Sequence, residues 1–222
     1  MDNYGAFIVD SNFLSSKELT KCIDFSDNEA KKRQRVYDEK SHYGHIDWFS
    51  IKIKSNNFVI KKFCKRFKLN PEDISLAVFY YLDPGAYIHP HRDLSGASLN
   101  SRLRFHIPVV TNSKLKFLVN KEKVIMKPGE LWILDTSYEH SVHNLGEKHR
   151  VHIVIDAPIN KELKQLLPSD LKSRIHTVKF FFWGLKKIIL SLLIDFWRNP
   201  KHFIDQMKYV LNFLKKKLKG KG

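Results

Sequence analysis

His91 and Asp93 flank a single arginine, and His140 follows 47 residues after Asp93. On an extended segment, side chains two apart point the same way. His91 and Asp93 can therefore grip one metal ion from one side. A second histidine from a distant strand end would complete a two-histidine, one-carboxylate face. Such a face leaves three positions of an octahedral ion open and is the signature of non-haem Fe(II) oxygenases. His-x-Asp alone is a weak pattern, so the elements that carry it must decide.

A chain of 222 residues is enough for one domain with a real core and an appendage. Its apolar content of 43% is that of a globular protein. Two cysteines, Cys22 and Cys64, make no disulfide framework, so a reducing compartment is expected. Met1-Asp2-Asn3-Tyr4 lacks the basic start and apolar stretch of a signal peptide, and a cytoplasmic location is expected. The net charge of +16 is uneven. Residues 161–222 hold 15 Lys/Arg against 4 Asp/Glu, a net of +11, whereas residues 1–160 hold 24 against 19, a net of +5. The basic character belongs mostly to the tail.

Residues 16–25 and 56–68 read as helices; the second places Phe58, Val59, Ile60, Phe63 and Phe67 at helical spacing. Short β-rich runs follow at 73–82, 101–110, 115–119, 123–126, 129–135 and 150–157. Turn residues such as Asp83-Pro84-Gly85 and Lys127-Pro128-Gly129 separate them. Many short strands of this kind predict a sandwich or barrel, of which the double-sheet jelly roll is one form. Helical texture returns near Pro158, and the domain boundary is expected near residue 160.

Two strands carry an unusual pattern. Alternation places Arg102, Arg104 and His106 on one face of the first, and Arg150 and His152 on one face of the second. Such a sheet either has one solvated side or lines an interior ligand site. In the second case the arginines suit a small dicarboxylate, because a planar guanidinium meets a carboxylate with two parallel bonds.

Five ordered blocks then carry a resemblance. They are Pro84 to Asp93, Arg102 to Asn112, Pro128 to Asp135, Glu139 to Asn144 and Arg150 to Asp156. Over about residues 76–158 this resembles the aspartyl/asparaginyl β-hydroxylase family of Fe(II)/2-oxoglutarate dioxygenases. The resemblance implies a mainly β, double-stranded β-helix (jelly-roll, cupin-like) fold, with flanking N-terminal helices and a C-terminal helical extension. It implies Fe(II) and 2-oxoglutarate as cofactors, O2 as cosubstrate and ascorbate as a supporting reductant. His91 and His140 fall on the family's metal histidines, and its Pro-His-x-Asp pattern selects His91 over His89. Arg150 falls on the arginine for the distal carboxylate of 2-oxoglutarate. Arg104 and His106 fall on positions that hold the carboxylate nearer the metal. Tyr80 aligns with a residue that assists at the distal end, with a different side chain. Asp93 is present, as in bacterial members that hydroxylate free amino acids, so a full triad is expected. The implied activity is hydroxylation of an unactivated C–H bond of an amino acid or amino-acyl group, with succinate and CO2 as coproducts. Trp132 and Tyr138 could line the substrate pocket, and Asp135 is expected to order the loop bearing His140.

The tail, 161–222, reads as a basic amphipathic helical unit. Phe180–Trp197 is mostly apolar, and Asn199-Pro200 should start a second helix ending in a lysine cluster. Neither has the roughly 18 uncharged apolar residues that span a bilayer. The tail could pack on the jelly roll, form a dimer, or lie on an anionic membrane surface through residues 177–222. Nucleic-acid binding fits less well, because the tail is rich in large apolar residues. Two further functions stay open. One keeps the chemistry and acts on an acyl chain of a membrane lipid. The other is a non-catalytic cupin-like binding module. No code for the substrate is readable in residues 1–70 or 94–100, and oligomeric state is equally out of reach.

Overall fold

The structure, a computed structural model, describes residues 5–31, 48–93, 102–175, 177–196 and 200–219. Among the described residues ten strands form two sheets: β1 (Ala6–Asp10), β2 (Trp48–Lys52), β3 (Leu76–Leu82), β4 (Tyr87–His91), β5 (Arg102–Val110), β6 (Leu115–Val119), β7 (Glu122–Lys123), β8 (Leu131–Leu134), β9 (His140–Asn144) and β10 (Arg150–Pro158). The larger sheet runs β1-β8-β5-β10-β3-β2 and the smaller β4-β9-β6-β7. Every pairing is antiparallel.

Alternation sorts the larger sheet into two faces. On the outer face, Leu103, Phe105, Ile107 and Val109 of β5 and Val151, Ile153, Ile155 and Ala157 of β10 are buried. Helices α1 (Ser16–Lys31) and α2 (Phe58–Phe67) cover that face. Asn57 caps α2 by accepting from the Val59 N–H, and Lys68 ends it in the left-handed conformation at φ 50°. The apolar spacing then presents Phe63 edge-on to Phe105, ring centroids 4.8 Å apart. Ser15 and Glu18 form a reciprocal cap at the start of α1, and Lys62 of α2 bonds Glu18 at 2.7 Å.

The opposite face carries Arg104, His106, Arg150, His152 and Asp156, and it is not solvated. The smaller sheet covers it: Phe117 of β6 lies 5.6 Å from the His106 ring and 6.3 Å from that of His152. Leu82, Leu134, Phe117, Val119 and Val142 close a second core between the sheets. The polar stripe is thus an interior lining. Arg102, at the strand end, instead donates to the Asp73 carbonyl and Ser75 Oγ.

Several boundaries differ from expectation. Asp73 belongs to a 3-10 turn, Pro71–Asp73, and β7 stops at Lys123, although the Val124 N–H still reaches the Phe117 carbonyl. Strands β1, β2, β4 and β9 lie outside the β-rich runs read in the sequence, although His91 falls on an extended segment and His140 on a strand end as expected. Beyond β10 the chain forms α3 (Lys161–Leu166), α4 (Ser169–Arg174), α5 (Val178–Phe196) and α6 (Pro200–Lys219). Leu163, Leu167, Leu171, Ile175 and Phe180 join the core under the larger sheet, so that core continues past residue 160. Helices α5 and α6 share a small core of their own around Ile188, Leu192 and Val210. No helix among the described residues is long and apolar enough to cross a membrane. Asn199, expected to cap α6, lies outside the described residues, as do Met1 to Tyr4 and residues 94–101.

Gly129 joins the N-terminal segment to the sheets. It sits at φ +83°, accepts from the Leu14 N–H and donates to the Pro108 carbonyl. A Cβ there would lie 2.9 Å from the Leu14 carbonyl oxygen. Gly129→Ala should destabilise the fold by at least about 1–2 kcal/mol from the left-handed conformation alone. Chemical denaturation checks this; an unchanged midpoint would contradict the assigned backbone.

Candidate active site

A register shift aims the first histidine. In the β4–β9 pair, Ile88 opposes Val142 and His91 opposes His140. His89 and Pro90 therefore face the single residue Ser141, which is a β-bulge. Without the extra residue, His91 would share the outer face with Tyr87. With it, His91 joins Ile88, Val142 and His140 on the inner face. His89 is left exposed. With Tyr87, Lys116 and His143 it lines a separate groove of about 220 Å³ on the outer side of this sheet.

Asp93 follows directly after β4, its N–H bonded to the Thr136 carbonyl at 2.9 Å. One ligand atom from each of His91, Asp93 and His140 lies within 4.8 Å of the other two. His91 Nε2 is 3.5 Å from Asp93 Oδ1, and His140 Nε2 is 4.0 Å from Asp93 Oδ2. Both imidazoles are oriented by their own strands. His91 Nδ1 donates to the His89 carbonyl at 2.8 Å, and His140 Nδ1 to the Tyr138 carbonyl at 3.1 Å. A carbonyl only accepts, so the proton sits on Nδ1 and Nε2 is the ring's electron-pair donor. Burial and the neighbouring His91 push His140 down to about 3, so it is neutral at physiological pH.

The loop before His140 is tied down from both sides. Asp135 Oδ1 accepts from the Ser137 N–H, and the Asp135 carbonyl accepts from the Tyr138 N–H. Arg92, between the two ligands, donates to the Ser137 carbonyl at 2.8 Å. The Tyr138 ring is buried. Trp132 stands opposite His106 in the β5–β8 pair and donates to Glu130.

Arg104 lies beside the triad and is engaged by two carboxylates of the chain itself. Its Nε and Nη2 meet both oxygens of Asp156 at 2.7 and 2.8 Å, and its Nη1 bonds Asp93. Burial works against charge on Asp93, but the Arg104 guanidinium beside it outweighs burial and holds the carboxyl below the usual range. The resemblance gives Arg104 a ligand carboxylate; the structure gives it Asp93 and Asp156. Tyr80 belongs to the same neighbourhood. Burial raises its phenol against the pull of Arg104, and Asp156 and Asp93 also act on it.

Arg150 is a different case. It is 4% exposed, and its Nε has no hydrogen-bond partner. Its guanidinium lies 5.6 Å over the Phe117 ring. Burial alone lowers it to about 9, so it remains a cation. An uncompensated buried charge costs on the order of several kcal/mol, so Arg150 opposes stability unless an anion joins it. His106 is within electrostatic reach of Arg150, Arg104 and His140, with Nδ1 3.3 Å from His152 Nδ1. Burial, then Arg150, drive both rings well below their ordinary values, so both are neutral. His152 Nε2 is a second buried atom without a partner. The space between the two sheets thus holds three metal-type ligands, two neutral imidazoles and a buried cation whose Nε has no partner. That donor set fits a metal ion together with a small dicarboxylate.

Two residues escaped the sequence reading. Asp156 shares its face with Arg150 and His152, and the alternation of β10 was the available signal. Asn144 reads as a turn residue, yet it is fully buried. Its amide donates to the Leu82 and Lys148 carbonyls and accepts from Asn112 and the Gly146 N–H. No local pattern announces that role.

Comparison with known proteins agrees with this geometry. The family model for aspartyl/asparaginyl beta-hydroxylase matches residues 16–158. Among solved structures, the non-haem α-ketoglutarate-dependent epimerase SnoN from nogalamycin biosynthesis has a TM-score of 0.52 at 10% identity, over 69% of this chain and 77% of that one. EctD from S. alaskensis in its apoform has a TM-score of 0.52 at 12% identity, over 73% and 77%. HygX from Streptomyces hygroscopicus, solved with nickel and 2-oxoglutarate bound, has a TM-score of 0.52 at 8% identity, over 71% and 84%. At such identities these likenesses show the fold, a double-stranded β-helix with flanking helices. The match over 16–158 shows more: the chain belongs to the aspartyl/asparaginyl β-hydroxylase family, and with it to the Fe(II)- and 2-oxoglutarate-dependent hydroxylases.

Proposed function

We propose that this chain hydroxylates an unactivated C–H bond of an amino acid or amino-acyl group, with His91, Asp93 and His140 as its iron ligands. The observation that carries the site assignment is the presence, between the same two sheets, of a three-ligand cluster and a buried arginine whose Nε has no partner. When bound, Fe(II), 2-oxoglutarate and O2 supply oxidative decarboxylation coupled to hydroxylation, releasing succinate and CO2.

The chain's own residues do the positioning. His91 and His140 present Nε2 in the correct tautomer because strand carbonyls hold Nδ1–H. Arg104, fixed by Asp156, keeps Asp93 ionised and oriented as the third ligand. Arg150 receives the distal carboxylate of 2-oxoglutarate in an environment where a charged bond is strong and water is excluded. His106 and His152, kept neutral by burial and by Arg150, line the path between the two ends. Tyr80 closes the wall beside Arg104. The amino-acid reading is supported by the intact triad, which the chain shares with bacterial members acting on such substrates. A second reading places the same chemistry on an acyl chain of a membrane lipid, and the exposed apolar residues of α5 favour it.

Succinate formation from 2-oxoglutarate with Fe(II), ascorbate and O2 tests the reading. Free amino acids and lipid extracts are offered separately, and the one that stimulates turnover selects the substrate class. His140→Ala should reduce turnover to background; retained activity would remove His140 from the metal centre. Arg150→Ala should raise the 2-oxoglutarate concentration needed for half-maximal turnover by about 10–100-fold, the worth of a charged hydrogen bond. An unchanged requirement would place the distal carboxylate elsewhere.

A further inference from the structure

We propose that the α5–α6 hairpin docks this protein on an anionic lipid surface. Its two helices pack on each other through Ile188, Leu192 and Val210, with Phe181, Leu185, Phe203, Met207, Phe213 and Leu214 partly buried around them, and leave other apolar side chains exposed. On α5, Val178, Phe182, Leu190 and Leu193 are 71%, 60%, 44% and 49% exposed. At 100° per residue they fall within one arc of the helix, and exposed Lys179 and Lys186 fall in the same arc. On α6, Ile204 and Leu211 are 50% and 51% exposed. Exposed Lys208 and Lys215 lie with them at spacings of four, three and four residues, along one helical stripe.

Charge decides what this surface meets. Residues 177–222 hold 11 Lys/Arg and 2 Asp, a net of +9. A second copy of the chain would bring the same positive charge to the contact and repel it. A nucleic acid would satisfy the lysines but leave large apolar side chains facing phosphate. A bilayer with anionic headgroups satisfies both. Apolar side chains enter the headgroup–acyl boundary while lysine stems reach up to the phosphates. The hairpin lies on the membrane rather than across it, because neither helix is long and apolar enough to span.

The hairpin is joined to the catalytic domain close to the triad. Trp183 of α5 lies 5.3 Å from the Tyr138 ring and stacks on Phe180 at 5.4 Å. The Tyr138 carbonyl is the acceptor for His140 Nδ1. Docking through α5 therefore keeps the segment that carries His140 close to the docked helix.

Flotation of the full chain with lipid vesicles tests this without any turnover measurement. Phosphatidylcholine vesicles containing phosphatidylserine should retain at least about tenfold more protein than pure phosphatidylcholine vesicles, given the attraction of each lysine to an anionic surface. High salt should release the protein by screening. Phe182→Ser with Leu193→Ser, both at exposed positions, should abolish retention while circular dichroism stays unchanged. Lys186→Glu with Lys215→Glu should abolish the preference for phosphatidylserine. Equal retention on neutral vesicles, or none on anionic ones, would overturn the proposal. So would a dimer, or retention on duplex DNA, that Phe182→Ser with Leu193→Ser disrupts in the absence of vesicle binding. If the double variants fail to fold, the salt and lipid dependence of the unaltered chain still decides.

Discussion

One mismatch in strand pairing underlies the candidate metal site: two residues of β4, His89 and Pro90, stand opposite one residue of β9, Ser141. Side chains alternate along a strand, so a one-residue shift exchanges inside for outside. The bulge turns His91 inward to meet His140 and leaves His89 in solvent. Proline suits the position, because it has no N–H to give the ladder. Everything downstream relies on this. Asp93 can approach His140 only because the strand arrives with His91 on the inner face, and Arg92 then reaches back to fasten the loop that carries His140.

Buried charge is the second constraint, and it is treated differently near the triad and at Arg150. Near the triad, Arg104 sits between Asp93 and Asp156, so two carboxylates meet one guanidinium and an excess negative charge remains, as a cation site requires. Arg150 has an aromatic ring beneath its guanidinium and no partner at Nε. A fold selected for stability alone would place an apolar side chain there. The asymmetry suits a cation at one end and an anion at the other: an excess carboxylate beside the two histidines, and a guanidinium at Arg150 for an anionic ligand to complete.

Much of this was legible in the sequence, for identifiable reasons. Alternation in Arg102 to His106 and Arg150 to His152 correctly grouped the lining residues on one face. It could not tell interior from exterior, because alternation records a face and not what covers it. The cover is the smaller sheet, whose strands β4 and β9 are poorly written: three of the five residues in Tyr87–His91 are His or Pro, and His140–Asn144 carries two His and an Asn. Their pairing joins positions about fifty residues apart, which no local window contains. Asp156 lay in plain view on the same alternation. Asn144, four of whose bonds reach β3 and two loops, depends wholly on tertiary context. The helical tail was visible in outline, but the burial of Leu163, Leu167 and Leu171 in the main core was not.

The most direct test of the central claim is the Fe(II) bound per chain, measured by anaerobic equilibrium dialysis on the unaltered protein, His91→Ala and His89→Ala. The bulge predicts one Fe(II) per chain, lost in His91→Ala and retained in His89→Ala. Retention in His91→Ala, or loss in His89→Ala, would mean that the strand presents the other histidine and that the site is built differently.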